Sequence, residues 1–155
     1  MLFMDFSRAC EQLEGTSGRL DMIDIISRIL PTLSPEELPV FVRFVMGRIF
    51  ADWSSKKLGI GPNLLYEAIG YVAGLKKEEV IEKINATGDA GQAVEELLQS
   101  KSQTTFFHEE LDLVRVYSEL ITIAEMEGKK SQREKLLAVR RLLGNSHPLE
   151  GRYLT

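Results

Sequence analysis

Cysteine is nearly missing from this sequence of 155 residues: Cys10 stands alone. No disulfide can close within the chain, which fits a reducing, intracellular and therefore cytoplasmic setting. Histidine is almost as scarce. His108 and His147 stand far apart with no cysteine pair near either, so no metal-ligand spacing is present. His147 belongs with Ser146 and Pro148 to a helix start. Trp53 is the single tryptophan and reads as a core anchor, the alternative being a platform for base stacking. No apolar run approaches the roughly 20 residues that cross a bilayer. The opening MLFMDFSRAC lacks the basic start and long apolar stretch of a secretory leader. Strand-type alternation is missing throughout.

What is present is a chain with 44% hydrophobic and 27% charged residues, long enough for one compact domain over residues 1–155. The formal net charge of −4 argues against wholesale attraction to nucleic acid, but the charge is unevenly spread. From Gly128 to Thr155 stand Lys129, Lys130, Arg133, Lys135, Arg140, Arg141 and Arg152 against Glu134 and Glu150. A second basic island holds Arg43, Arg48, Lys56 and Lys57 against Asp52. Solvated helix faces would account for both islands, and so would an anionic partner.

Helical periodicity runs through the whole chain and predicts an all-α fold. Leu2, Phe3, Phe6, Cys10 and Leu13 share one face over residues 2–14, which makes Cys10 a small buried hydrophobe and not a nucleophile. After Gly15-Thr16-Ser17-Gly18, a second helix carries Met22, Ile23, Ile26, Ile29 and Leu30. Ser34-Pro35-Glu36-Glu37 is a helix-start signal, and that helix is predicted to reach Arg48. Further helices are expected over 63–74, 77–85, 89–99, 109–126, 131–143 and from Ser146-His147-Pro148 onward. A shift of 113 residues lays Glu14-Gly15 on Glu127-Gly128, Arg28 on Arg141, Pro35 on Pro148 and Glu37 on Glu150. Apolar positions follow, including Ile23 on Leu136, Ile26 on Val139 and Leu30 on Leu143. Such a repeat is weak by itself, since helices share patterns by chance.

The stretch KKLGIGPNLL, residues 56–65, carries the chemistry. It matches neither GxxxxGK[ST] nor the dinucleotide fingerprint, which needs a preceding strand and a third glycine. Gly59 and Gly61 permit positive φ and a close approach of backbone to ligand. A helix beginning near Pro62-Asn63 offers unsatisfied N–H groups and a positive dipole end, and Lys56 and Lys57 add charge. Leu58 and Ile60 would anchor the loop to the core. Two readings stay open at this level: a phosphate-gripping loop, and a tight turn with surface lysines.

The order of segments resembles the N-terminal DNA-binding domain of ATP-dependent DNA ligases of archaeal type. FSRACEQLEGTSGRLDMIDII resembles that family's opening, and SPEELPVFVRFVMGRIF with KLGIGPNLLYEAI its next helix and loop. GDAGQAVEELL and SQREKLLAVRRLLGNSHPLEGRYLT continue the likeness to the end. The resemblance implies a pseudo-twofold helical body that grips nicked double-stranded DNA across the minor groove, mainly through phosphates, in replication, repair and recombination. It implies DNA contacts at Lys56, Lys57, Leu58, Gly59, Ile60, Gly61 and Asn63, with Ser17 and Arg19 as further phosphate contacts. Their approximate repeat mates Lys130 and Arg133 follow as candidates. It also implies a second glycine-containing basic loop beyond Thr155, so the domain is expected to be incomplete at its C-terminal end.

The family forms its enzyme–AMP adduct on a lysine in a K-x-D-G motif, and no lysine here has that context. The chain is therefore expected to be no enzyme on its own, with ATP and Mg2+ belonging to the catalytic domains of the same ligase. Gln103-Thr104-Thr105-Phe106-Phe107 resembles a short element that binds a sliding clamp (PCNA), implicating Gln103, Phe106 and Phe107. Two adjacent aromatics cannot both face inward on a regular helix, so an exposed ring could fill a partner's pocket. The rival reading is thus a helical interaction module docking a clamp through Phe106-Phe107. Lys76 and Lys77 serve as ordinary surface lysines against which the loop glycines should matter more.

Overall fold

The computed structural model describes residues 1–100, 110–128 and 130–155. Among these, every regular element is helical. They are α1 (Phe3–Glu14), α2 (Arg19–Ile29) running into a 3-10 turn (Leu30–Thr32), α3 (Glu37–Val45), α4 (Pro62–Ala73), α5 (Lys77–Thr87), α6 (Ala90–Gln99), α7 (Leu113–Glu125), α8 (Ser131–Asn145) and α9 (Pro148–Leu154). The all-α expectation holds. None of these helices is long and apolar enough to cross a membrane.

Local chemistry sets the ends. Ser34 and Glu37 cap each other: the Ser34 N–H donates to Glu37 Oε2 at 2.8 Å and the Glu37 N–H to Ser34 Oγ at 3.2 Å. His147 and Glu150 repeat the device 113 residues later, the His147 N–H donating to Glu150 Oε2 at 2.7 Å. Asp89 and Asp112 cap α6 and α7 by accepting from Gln92 N–H and Arg115 N–H.

Two ends differ from expectation. α3 stops at Val45, short of Arg48, because Gly47 takes φ +66°. The Arg48 N–H then closes onto Arg43 O at 2.9 Å and the Gly47 N–H onto Phe44 O at 2.9 Å, a Schellman motif. α7 begins at Leu113 and not at 109, because the preceding residues pair with the N-terminus. The Phe3 N–H donates to Leu111 O at 2.8 Å and the Leu113 N–H to Met1 O at 3.0 Å, forming an isolated bridge between Leu2 and Asp112. That bridge holds Leu2 outside the helix and exposed, against its expected place on the buried face.

Two apolar clusters form the core. The first gathers Phe3, Phe6, Val40, Phe41, Leu113, Val116 and Leu142 from α1, α3, α7 and α8. Its rings meet edge to face, Phe6 on Phe41 with centroids 5.9 Å apart and Phe3 on Phe44 at 6.4 Å. The second joins α4, α5, α6 and α8 through Ala68, Ile69, Val80, Val94, Leu97, Val139 and Leu143. α9 packs on both α6 and α1. Each fully buried large side chain contributes on the order of 2 kcal/mol by leaving water.

The second helix and Trp53 both depart from their expected burial. α2 has the predicted helical spacing but no buried residue, and Leu20 and Ile23 face solvent. It packs against α1 and its own 3-10 turn, and that contact covers too little of its surface. Trp53 is 90% exposed, which corrects its reading as a core anchor. A turn in which the Ser54 N–H donates to Ala51 O at 2.9 Å carries the indole outward, while Ile49 and Phe50 take the half-buried places before it.

Candidate nucleic-acid interface

Between α3 and α4 the chain runs without regular structure, and its last six residues form the Gly-Ile-Gly loop. Side chains tie the loop down at three points. Lys56 Nζ pairs with Glu125 Oε1 of α7 at 3.1 Å. Leu58 and Ile60 are half-buried against the second cluster, as anchors should be. From α8, Lys135 reaches under the loop, and its ammonium donates to Leu58 O at 2.8 Å.

The two glycines differ. Gly59 has φ +69°, which favours glycine, and a Cβ there would lie 2.5 Å from Lys135 Nζ and displace that ammonium. Gly61 is the N-terminal cap of α4 with φ −89° and has nothing within 4 Å of a built Cβ. No intramolecular reason requires glycine at Gly61.

After Gly61, Pro62 supplies the first helical position and α4 carries no acid in its first turn. Among the described residues, none of the backbone N–H groups of Gly59, Ile60, Gly61 and Asn63 donates a hydrogen bond. Exposed N–H groups at a helix start with an uncompensated dipole are chemically suited to an anion. A groove of about 420 Å³ opens beside them, lined by Gly61, Asn63, Lys77, Gln132 and Arg133, with Glu67 also on its wall.

The structure divides the basic islands into used and free charges. Arg43 donates to Tyr117 Oη at 2.8 Å, and Arg48 pairs with Asp52. Arg140 pairs with Glu67 at 3.1 Å and lies 4.2 Å above the Tyr71 ring. Arg141 pairs with Glu119 at 3.4 Å, and Arg152 with Glu95 at 3.1 Å and Glu14 at 2.5 Å. Lys57, Lys130 and Arg133 make no ion pair among the described residues. Arg133 stands in the groove beside Gly61 and Asn63, so the loop and its candidate from α8 come together.

Ser17 and Arg19 sit elsewhere, at the exposed start of α2, which packs against α1 and not against α4. The Asp21 carboxylate already lies over Gly18 at that helix start and offsets its dipole, unlike the acid-free start of α4. Gln103, Phe106, Phe107, His108 and Lys129 lie outside the described residues. Burial, with Glu14 adding to it, pushes the Cys10 thiol up to about 12, far from thiolate reactivity at neutral pH. His147 caps α9, its Nδ1 accepting from the Leu149 N–H at 3.4 Å. No group of three or more His, Cys, Asp and Glu among the described residues is placed to hold a metal ion.

Two residues of this site were passed over in the sequence. Lys77, by sequence an ordinary surface lysine, lines the groove. Lys135 reads as one more cation in a basic helix.

Fold and site together define a helical module in which the loop before α4 is anchored by side chains while the N–H groups of Gly59, Ile60, Gly61 and Asn63 have no partner among the described residues. Residues 2–155 match the family model described as DNA ligase N terminus. The chain belongs to this DNA ligase N-terminus family. It is 62% identical over 154 residues to a DNA ligase of Methanoculleus marisnigri, 99% of this chain and 28% of that protein. It is 55% identical over 154 residues to a DNA ligase of Methanosphaerula palustris, again 99% and 28%. To a DNA ligase of Methanothermobacter thermautotrophicus it is 36% identical over 155 residues, 100% and 28%. The chain thus spans 28% of the length of these curated relatives.

Proposed function

We propose that this chain is the DNA-binding part of an ATP-dependent DNA ligase, holding nicked duplex DNA through its phosphates without reading sequence. The observation that carries this reading is that, among the described residues, the N–H groups of Gly59, Ile60, Gly61 and Asn63 and the cations of Lys57, two residues ahead of Gly59, and Arg133, in the groove beside Gly61, all lack a partner. Backbone N–H groups and point charges recognise phosphate and carry no base information. The positive φ at Gly59 and the open space at Gly61 allow the sugar–phosphate chain to come close. Lys130, Lys77, Ser17 and Arg19 would act as outlying contacts, the last two weakened by Asp21. ATP, Mg2+ and the joining chemistry would belong to the remaining length of the ligase.

Titrating the 155-residue chain onto nicked duplex at two salt concentrations tests this. Each phosphate neutralised contributes about −0.9 to the slope of log K against log salt, so three cations predict a fall of about 40-fold between 50 and 200 mM. A flat response sinks the reading. Gly61→Val should weaken binding about tenfold with little loss of stability, because its side chain meets only the approaching backbone. Lys76→Gln should change affinity less than twofold; equal effects would remove the loop from the site.

A further inference from the structure

The least expected residue of the site is a cation that solvent hardly sees. Lys135 is 5% exposed, and its ammonium has one partner among the described residues, the Leu58 carbonyl at 2.8 Å. Among the described residues no carboxylate pairs with it. A buried ammonium is costly unless paired.

We infer that Lys135 is the positioning residue of the loop, aiming the Gly59 N–H at a DNA phosphodiester by holding the Leu58 carbonyl from beneath. The inference rests on the function proposed above and names the residue that makes that loop competent. Its geometry follows from peptide planarity. The carbonyl of Leu58 and the N–H of Gly59 belong to one trans peptide unit and point in opposite directions. With the oxygen fixed on an ammonium rising from α8, the N–H is turned away from α8. Glycine suits this state, because φ at Gly59 is +69° and a Cβ there would push the ammonium off the Leu58 carbonyl, lying 2.5 Å from Nζ. Lys135 touches no phosphate itself in this arrangement, and its effect passes through the peptide it holds.

The test uses the 155-residue chain, nicked duplex DNA and Lys135→Met, which keeps the apolar stem and removes the ammonium. Affinity is expected to fall at least tenfold at every salt concentration, with the slope of log K against log salt unchanged. In the free protein the Gly59 amide resonance should shift and lose its fixed orientation. Gly59→Ala should reproduce the loss, and the double variant should lose little more than either single one. A folded Lys135→Met variant that binds within twofold of wild type overturns the inference. So does a slope that falls by about 0.9, the signature of a direct phosphate contact. If Lys135→Met does not fold, nitrogen-15 lysine spectra of the wild type decide: a solvent-protected Lys135 ammonium unmoved by DNA, with the Gly59 amide shifting, supports it. An ammonium in rapid exchange overturns it. Failure of the wild type to bind nicked duplex would instead defeat the functional reading itself, so the two failures are distinct.

Discussion

Leu30 and Leu143 hold equivalent places in a pattern that the chain uses twice, yet one is 37% exposed and the other 3%. In the first use, α1 and α2 lead to the Ser34–Glu37 cap of α3; in the second, α7 and α8 lead to the His147–Glu150 cap of α9. Local chemistry is matched down to the capping carboxylate. The difference lies in what covers the second helix. α8 is packed beneath α4 and the Gly-Ile-Gly loop, whereas α2 lies on α1 with its outer face bare. Helix formation is thus written into each copy, while burial is decided by a partner that only one of them has within these 155 residues. The same difference separates the candidate phosphate sites: the covered copy organises a loop with unpaired N–H groups, and the bare copy presents a helix start occupied by Asp21.

The sharpest way to break this comparison is to truncate the paired leucines. Leu143→Ala should cost about 3 kcal/mol in urea unfolding, and Leu30→Ala less than about 1 kcal/mol. Equal costs would mean that α2 is as well packed as α8. The capping carboxylates should differ less. Glu150→Ala removes a buried acid and is expected to cost about 2 kcal/mol, against about 1 kcal/mol for the half-buried Glu37→Ala. A reversed order would show that the first cap carries more of the fold than its exposure suggests.

The smallest effect is in pH. A hydrogen bond from the Met1 ammonium, then one from the Ser34 N–H, holds the Glu37 carboxyl below the usual carboxylate range. Its folded pKa is depressed, so the contribution is whole above the unfolded value of about 4.3 and is lost as pH falls through the folded value. Glu37→Gln should therefore flatten the acid side of a stability profile and leave its neutral side parallel to wild type. An unchanged acid limb would show that the pair is silent in solution.

Much of this fold was legible because its signals are local. Asp89 before α6, Pro148 after His147 and the apolar spacing of α1 act within a turn or two of chain. Gly47 was equally local, and the αL stop it imposes on α3 was there to be found. The start of α7 was not, since residues just ahead of Asp112 are held extended by the N-terminus, a contact with no periodicity to announce it. Trp53 failed for a related reason: apolarity says what burial would gain, and a turn decided where the ring went. For the site, the loop and its anchors were visible in KKLGIGPNLL, while Lys77 and Lys135 come from elements distant in sequence. A lysine in a basic helix looks solvated until the helix packed above it is known.

The stitch between Leu2 and Asp112 has a consequence for the order of assembly. Two strands of chain about 110 residues apart must meet before the first cluster is closed, and the entropy of that closure is paid before its contacts reward it. α4, α5 and α6 follow one another directly and pack as neighbours. On a ribosome, these middle helices can begin to collapse while the first helix still waits for its partner to be synthesised. Helix α1 is then among the last of these helices to become native.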